Sequence, residues 1–166
     1  DPREVRSRDF LTGLGIGESD PRLVAVAATE SDVERARAAA VSMLSEHPDI
    51  SVILAVEGPV ANAAAEAVSE MGLTADVLTV STGGGCETVR AVARGELDAM
   101  AMTRPQRTAE QGVRTIVEYV ETGRPPVPSD GVEYTITDDG VMLVTDQPVP
   151  GIESRDSGWG AENCFD

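Results

Sequence analysis

The side chains able to do covalent or acid–base chemistry are few in this sequence, and they are badly placed for it. There is one histidine, His47, in a His-Pro-Asp stretch between a helix-like and a strand-like segment. It falls at the end of the fold opposite to where the other polar candidates collect, so it reads as structural or solvated. Without it no Ser-His-Asp or Cys-His nucleophile can be assembled. Glu30 and Glu57 form a conceivable pair of carboxylates, but nothing in their context assigns them acid and base roles. Gly83-Gly84-Gly85 invites a phosphate-loop reading and fails it: no Gly-Lys-Ser/Thr is present, and the spacing is not that of a dinucleotide fingerprint. A plain backbone cradle for a ligand oxygen is what remains of that idea. Cys86 and Cys164 have no second Cys or His at metal-ligand spacing. They are either two separate thiols or a long-range disulfide; the disulfide is our expectation, and it would suit an extracytoplasmic protein. No enzyme activity, metal or cofactor is expected.

Hydrogen-bonding residues suited to binding are better represented, and the elements that position them can be read from hydrophobic periodicity. Residues 23–28 and the continuous apolar run 51–56 read as strands. Residues 76–82 and 97–102 do so as well. Between them lie amphipathic helices. The first opens at Ser31, with Glu34 completing a capping box, and stops before Pro48. The second begins near Pro59 and ends at Gly72. The third follows the triple glycine and ends at Gly95. The fourth begins at Pro105, carries Val113, Ile116, Val117 and Val120 as an apolar stripe, and ends at Gly123. Four successive strand–helix units predict an α/β fold: a doubly wound, mostly parallel sheet with helices on both faces. Residues 132–138 and 141–145 around Asp139-Gly140 predict a C-terminal β-hairpin. We divide the chain into a lobe, 1–146, and a proline- and glycine-rich, irregular tail, 147–166.

In such a sheet ligands bind beyond the carboxyl ends of the strands. Those positions hold Thr29, Glu30 and Ser31, then Glu57, then Ser81, Thr82 and Gly83, then Thr103 and Arg104. Hydroxyls, carboxylates and a guanidinium together donate and accept hydrogen bonds, as a polyhydroxy ligand requires. Singly, each is an ordinary cap or turn residue; the argument is collective.

Bulk properties agree with one globular domain of 166 residues, 41% hydrophobic, with an aliphatic core because aromatics are only 3%. The net charge is −16 and every basic side chain other than His47 is arginine. That balance argues against a nucleic-acid backbone or an anionic membrane as partner. No apolar run approaches the roughly 20 residues that span a bilayer. The first helix, from about Arg3 to Leu14, has no strand before it, so we expect part of the fold to lie upstream.

Several segments resemble the carboxy-terminal lobe of type 1 periplasmic solute-binding proteins of the ribose- and galactose-binding kind. They are Leu44-Ser45-Glu46-His47-Pro48-Asp49-Ile50 before a strand, residues 67–72, Ala91-Val92-Ala93-Arg94-Gly95-Glu96-Leu97, and Pro126-Val127-Pro128. The resemblance covers about two-thirds of the chain. It implies the substrate-binding component of an ABC-type uptake system, outside the cytoplasm. A sugar or polyol would close between this lobe and an amino-terminal one, and the partner would be a membrane permease. It implies ligand contacts from an arginine on the first helix, matched by Arg6 with Arg8 as second candidate, and from Ser31. The family's usual asparagine after the second strand is Glu57 here. Its aspartate after the third strand falls near Gly83, with Thr82 the nearest polar group. Its amide after the fourth falls at Thr103, beside Arg104. These departures leave the ligand open to a polyol, a modified sugar or a cationic molecule pairing with Glu57. Trp159 is expected to anchor the tail. Two rivals carry the same kind of sheet. An effector-binding domain of a lac-repressor-like regulator would need a DNA-binding headpiece upstream. A small α/β enzyme would need converging nucleophilic or metal-binding groups.

Overall fold

The computed structural model describes residues 2–124 and 141–165. In chain order the elements are α1 (Pro2–Gly13), α2 (Val33–Glu46), β1 (Val52–Ala55), α3 (Gly58–Glu70), β2 (Leu78–Ser81), α4 (Cys86–Ala93), β3 (Ala99–Thr103), α5 (Pro105–Thr122), β4 (Val141–Val144) and α6 (Ser157–Asn163). The strands form one open, mostly parallel sheet in the order β1-β2-β3-β4, with β4 antiparallel to β3. The expected α/β architecture is present.

Register fixes which side chains share a face. Ala55 lies opposite Ser81, Ser81 opposite Met100, and Met100 opposite Val144, so these point the same way. That face meets the helices. Val89 and Val92 of α4, Ala61 and Ala65 of α3, and Leu97 close over Met100, Met102 and Val144. Full burial of side chains such as Leu97 and Met102 contributes about 1.5–3 kcal/mol each. Alanines let α2 and α3 approach closely: Ala40, Ala64 and Ala67 pack together with Ile53 beneath them, while Leu44 meets Val68 and Val77. The alternate residues Leu54, Val80, Ala101 and Leu143 face the other way and are only half-buried.

The structure corrects four expectations. Residues 23–28 form no strand; a strand exists by its ladder, and this segment has no strand partner among the described residues. The cap of α2 is Asp32, not Ser31: the Asp32 carboxylate accepts from the Arg35 N–H at 2.8 Å, directly before the first helical residue. Ser31 is displaced into the preceding turn with φ +61°. The stripe of α5 is exposed rather than buried, with Val120 76% accessible, because α5 packs closely on none of the described elements. The tail is irregular from Gln147 to Asp156 and then becomes helical, since Asp156 caps α6 by accepting from the Trp159 N–H. Of the expected hairpin, β4 is seen; residues 132–138 and the 139–140 turn lie outside the described residues.

Two close approaches set the geometry. At the first, the start of α3 meets the turn after β2. A Cβ on Gly58 would lie 2.6 Å from Gly84 Cα, with Thr88 Oγ1 closer still. Gly84 has φ +141°, where side chains are strained, and a Cβ there would lie 2.6 Å from Thr88 Cβ. At the second, α6 lies against α4 and β4, where a Cβ on Gly160 would come within 2.9 Å of Val89 and 3.2 Å of Val144. The end of α6 is then joined to the start of α4 by the Cys86–Cys164 disulfide, which closes 78 residues of chain. Phe165 O accepts from the Cys86 N–H beside it at 3.0 Å.

Two stability measurements test this arrangement. Gly58→Ala should lower the urea midpoint by the equivalent of about 1–3 kcal/mol, because the obstructing atom is backbone and cannot turn aside. Gly112→Ala, in the open middle of α5, should leave the midpoint equal or raised. Reducing the disulfide should cost about 2–5 kcal/mol, and the unfolded, unreduced protein should show no reactive thiol.

Candidate ligand-binding site

The carboxyl ends of β1 and β2 come together through the Gly58–Gly84 junction, and α1 reaches over them. Arg6 Nη1 donates to Val56 O at 3.3 Å. The same nitrogen lies 3.8 Å from where a Cβ on Gly83 would stand. Thr82 Oγ1 approaches Val56 O at 3.4 Å. Ser81, buried beneath them, donates its hydroxyl to Gly83 O at 2.6 Å, and Gly83 N–H returns a bond to Ser81 Oγ at 3.3 Å. This pins the first glycine of the turn. Glu57 occupies the N-cap position of α3, half-buried, with no side-chain cap hydrogen bond. A carboxylate there sits beside the positive end of the helix dipole.

Arg6, Glu57, Thr82 and Gly83 are therefore neighbours. Thr103 ends β3 and Arg104 follows it at the start of α5, both half-buried. The Arg104 Cζ lies 5.6 Å from the centroid of the Trp159 ring. The other two sequence candidates are not brought to this group by any described contact. Arg8 is two residues from Arg6 on α1, which turns it about 200° around the helix. Ser31 is exposed in the turn before α2, where the neighbouring Glu30 is engaged by Arg35 at 2.6 Å. His47 caps the far end of α2, away from the carboxyl ends of the strands.

Electrostatically, the carboxylates held below their ordinary range belong to surface ion pairs. Hydrogen bonds from Arg22 bring Asp20 to about 2, Arg90 lowers Glu87, and Arg94 lowers Glu96. Among the described residues there is no cluster of His, Cys, Asp or Glu able to hold a metal ion. No helix there is long and apolar enough to cross a membrane.

Sequence reasoning missed two contributors. One is Val56 O, an acceptor that has no sequence signature. The other is the partnership of Arg104 with Trp159, since two residues 55 positions apart in sequence give no signal of contact. The role of Gly58 was legible in principle from the Glu-Gly-Pro start of α3, where glycine before proline marks a turn.

The arrangement supplies donors, acceptors and one carboxylate at strand ends, and no nucleophile with a base. No curated protein matches the chain. Similar solved structures include an arabinose-binding protein from Geobacillus stearothermophilus, with TM-score 0.66 and 23% identity over 84% of this chain and 48% of that one. An ABC transporter solute-binding protein from Agrobacterium vitis with bound D-fucose gives TM-score 0.61 and 20% identity over 86% of this chain and 44% of that one. A glucose-galactose binding protein, also from G. stearothermophilus, gives TM-score 0.61 and 20% identity over 76% and 43%. The chain thus spans less than half the length of these structures, and at such identities the likeness shows the fold. The family itself is shown by sequence: residues 6–125, which carry the Arg6–Gly83 junction and all three parallel strands, match its model, and the chain belongs to the periplasmic binding protein domain family, whose members bind solutes and are not enzymes.

Proposed function

We propose that this chain is the carboxy-terminal lobe of a two-lobe binding protein that presents a small polyhydroxy ligand to a membrane permease of the ABC type outside the cytoplasm. The observation that carries the reading is Arg6, drawn across from α1 onto Val56 O and Gly83 at the carboxyl ends of β1 and β2. An arginine held there presents fixed N–H donors to ligand oxygens, while Glu57 and Thr82 accept or donate beside it. The sugars bound by similar structures, D-fucose and arabinose among them, support a monosaccharide or related polyol. Glu57 additionally favours a ligand that carries a hydroxyl pair or an amine toward α3. Half of such a site binds weakly; closure by the second lobe buries the ligand and completes its hydrogen bonds.

A thermal-shift and calorimetry panel of D-fucose, L-arabinose, D-galactose, myo-inositol and an amino sugar on the full-length protein tests this. At least one should stabilise it, and Arg6→Gln should weaken that ligand about ten- to hundredfold, the range for hydrogen bonds to a charged group. Stabilisation by none of them at millimolar concentration would overturn the reading.

A further inference from the structure

Glu57 stands at the N-cap of α3 and does not cap it. Its backbone is extended, with φ −141° and ψ 141°, as a cap residue requires. Pro59 fills the second helical position and has no N–H, so the donor that a cap side chain could reach is the Val60 N–H at the third. Serine, asparagine or aspartate accepts from a donor so placed; glutamate, one methylene longer than aspartate, is not among the residues preferred there. Among the described residues no hydrogen bond or ion pair engages the Glu57 carboxylate. It is half-buried all the same. A charge drawn partly out of water without a partner is unfavourable, and the uncapped helix start adds to that.

Arg6 reaches the residue just before it and does not pair with it. Its Nη1 donates instead to Val56 O at 3.3 Å. The two opposite charges therefore flank one peptide unit and stay apart. The backbone beneath them has little room to move, because the next residue, Gly58, meets Gly84 and Thr88 with no space for a Cβ. A group lying between such charges must accept from the guanidinium and donate to the carboxylate. An ammonium only donates and a carboxylate only accepts, while a hydroxyl does both. Two hydroxyls on neighbouring carbons would join Arg6 to Glu57 in one polarised chain. The two charges also cancel, so a cleft closing on a neutral ligand buries a balanced pair, whereas an amine or an acid adds a charge that must be desolvated. A local rule broken at a place with such chemistry points to function rather than to folding.

We propose that Glu57 is the specificity-determining residue of this site, selecting the hydroxyl pair of an uncharged sugar or polyol over an amino sugar or a sugar acid, and that α3 goes uncapped because the longer carboxylate serves the ligand instead. The inference rests on the strand ends being the ligand site, and the test separates the two.

The first arm needs no ligand. Glu57→Asp keeps the charge and shortens the side chain to capping length. It should raise the melting temperature of the ligand-free full-length protein by about 2–4 °C. An unchanged or lower melting temperature means that Glu57 already serves the helix, and overturns the inference. The second arm is calorimetry with D-fucose, L-arabinose and myo-inositol as neutral probes and D-galactosamine and D-galacturonate as charged ones. Wild type should bind at least one neutral probe about tenfold or more tighter than either charged one. Glu57→Asp and Glu57→Gln should each weaken that neutral probe about tenfold. Glu57→Gln should bind D-galacturonate no more weakly than wild type does, since the repelling charge is gone. A lobe merely loosened by substitution would lose every probe alike. Equal loss of all probes, or a neutral probe bound unchanged by Glu57→Gln, rejects the role of Glu57 and leaves the proposed function standing. So does a wild type that prefers a charged probe. A wild type that binds none of the five rejects both together.

Discussion

Backbone meets backbone where α3 begins and the turn after β2 passes it, and much of the molecule is arranged around that contact. With no Cβ on Gly58 or Gly84, two parallel strand–helix units can bring their carboxyl ends almost into contact. Any side chain would wedge them apart. The separation in turn decides whether one guanidinium can touch both ends. Arg6 donates to Val56 O on one side and lies near Gly83 on the other, 3.8 Å from where a Cβ there would stand. Thr88, buried below the junction, is the floor on which both glycines rest. The residues that present chemistry are ordinary; the closeness that groups them is made by residues that present none.

The helical layer on one face of the sheet follows a similar economy of volume. Its interior is mostly alanine and valine, with Leu44, Leu97, Met100 and Met102, and α2 and α3 interlock through alanines. Small side chains bring helix axes near each other and leave little room for error, since interiors are packed at crystal-like density. The surface is the reverse, strongly acidic, with arginines tied into local pairs such as Arg22–Asp20, Arg35–Glu30 and Arg94–Glu96. Exposed pairs of this kind contribute little to stability.

How much of this was legible in the sequence depended on whether the information was local. Helices from α2 to α5 were readable from apolar spacing and from proline and glycine at their ends, because both signals act within a few residues. The positions after β1, β2 and β3 were readable from topology alone, since parallel strands all end on one side. Cap choice was less so: Ser31 and Asp32 are adjacent and both can cap, and only the geometry of the turn decides between them. Pairing was not legible at all. Residues 23–28 have a strand's composition, and composition does not say whether a neighbour is there. The stripe of α5 was read correctly as a stripe, but periodicity tells which residues share a face and not what covers it. The helical character of α6 was hidden by its two glycines, one of which is there for the contact with Val89.

The bridge between Cys86 and Cys164 has a mechanical consequence. Everything from α4 through β3, α5, β4 and α6 lies inside a covalent ring. If the chain were pulled from its two ends, the segment between the cysteines, whose sequence separation is 78, could not be drawn out. It hides a contour of about 270 Å that only reduction releases. Force would reach α1, α2 and α3 first and would stop at the turn after β2. The lobe is therefore built as an extensible leading half, holding Arg6 and Glu57, tied to a trailing half of fixed length that holds Arg104.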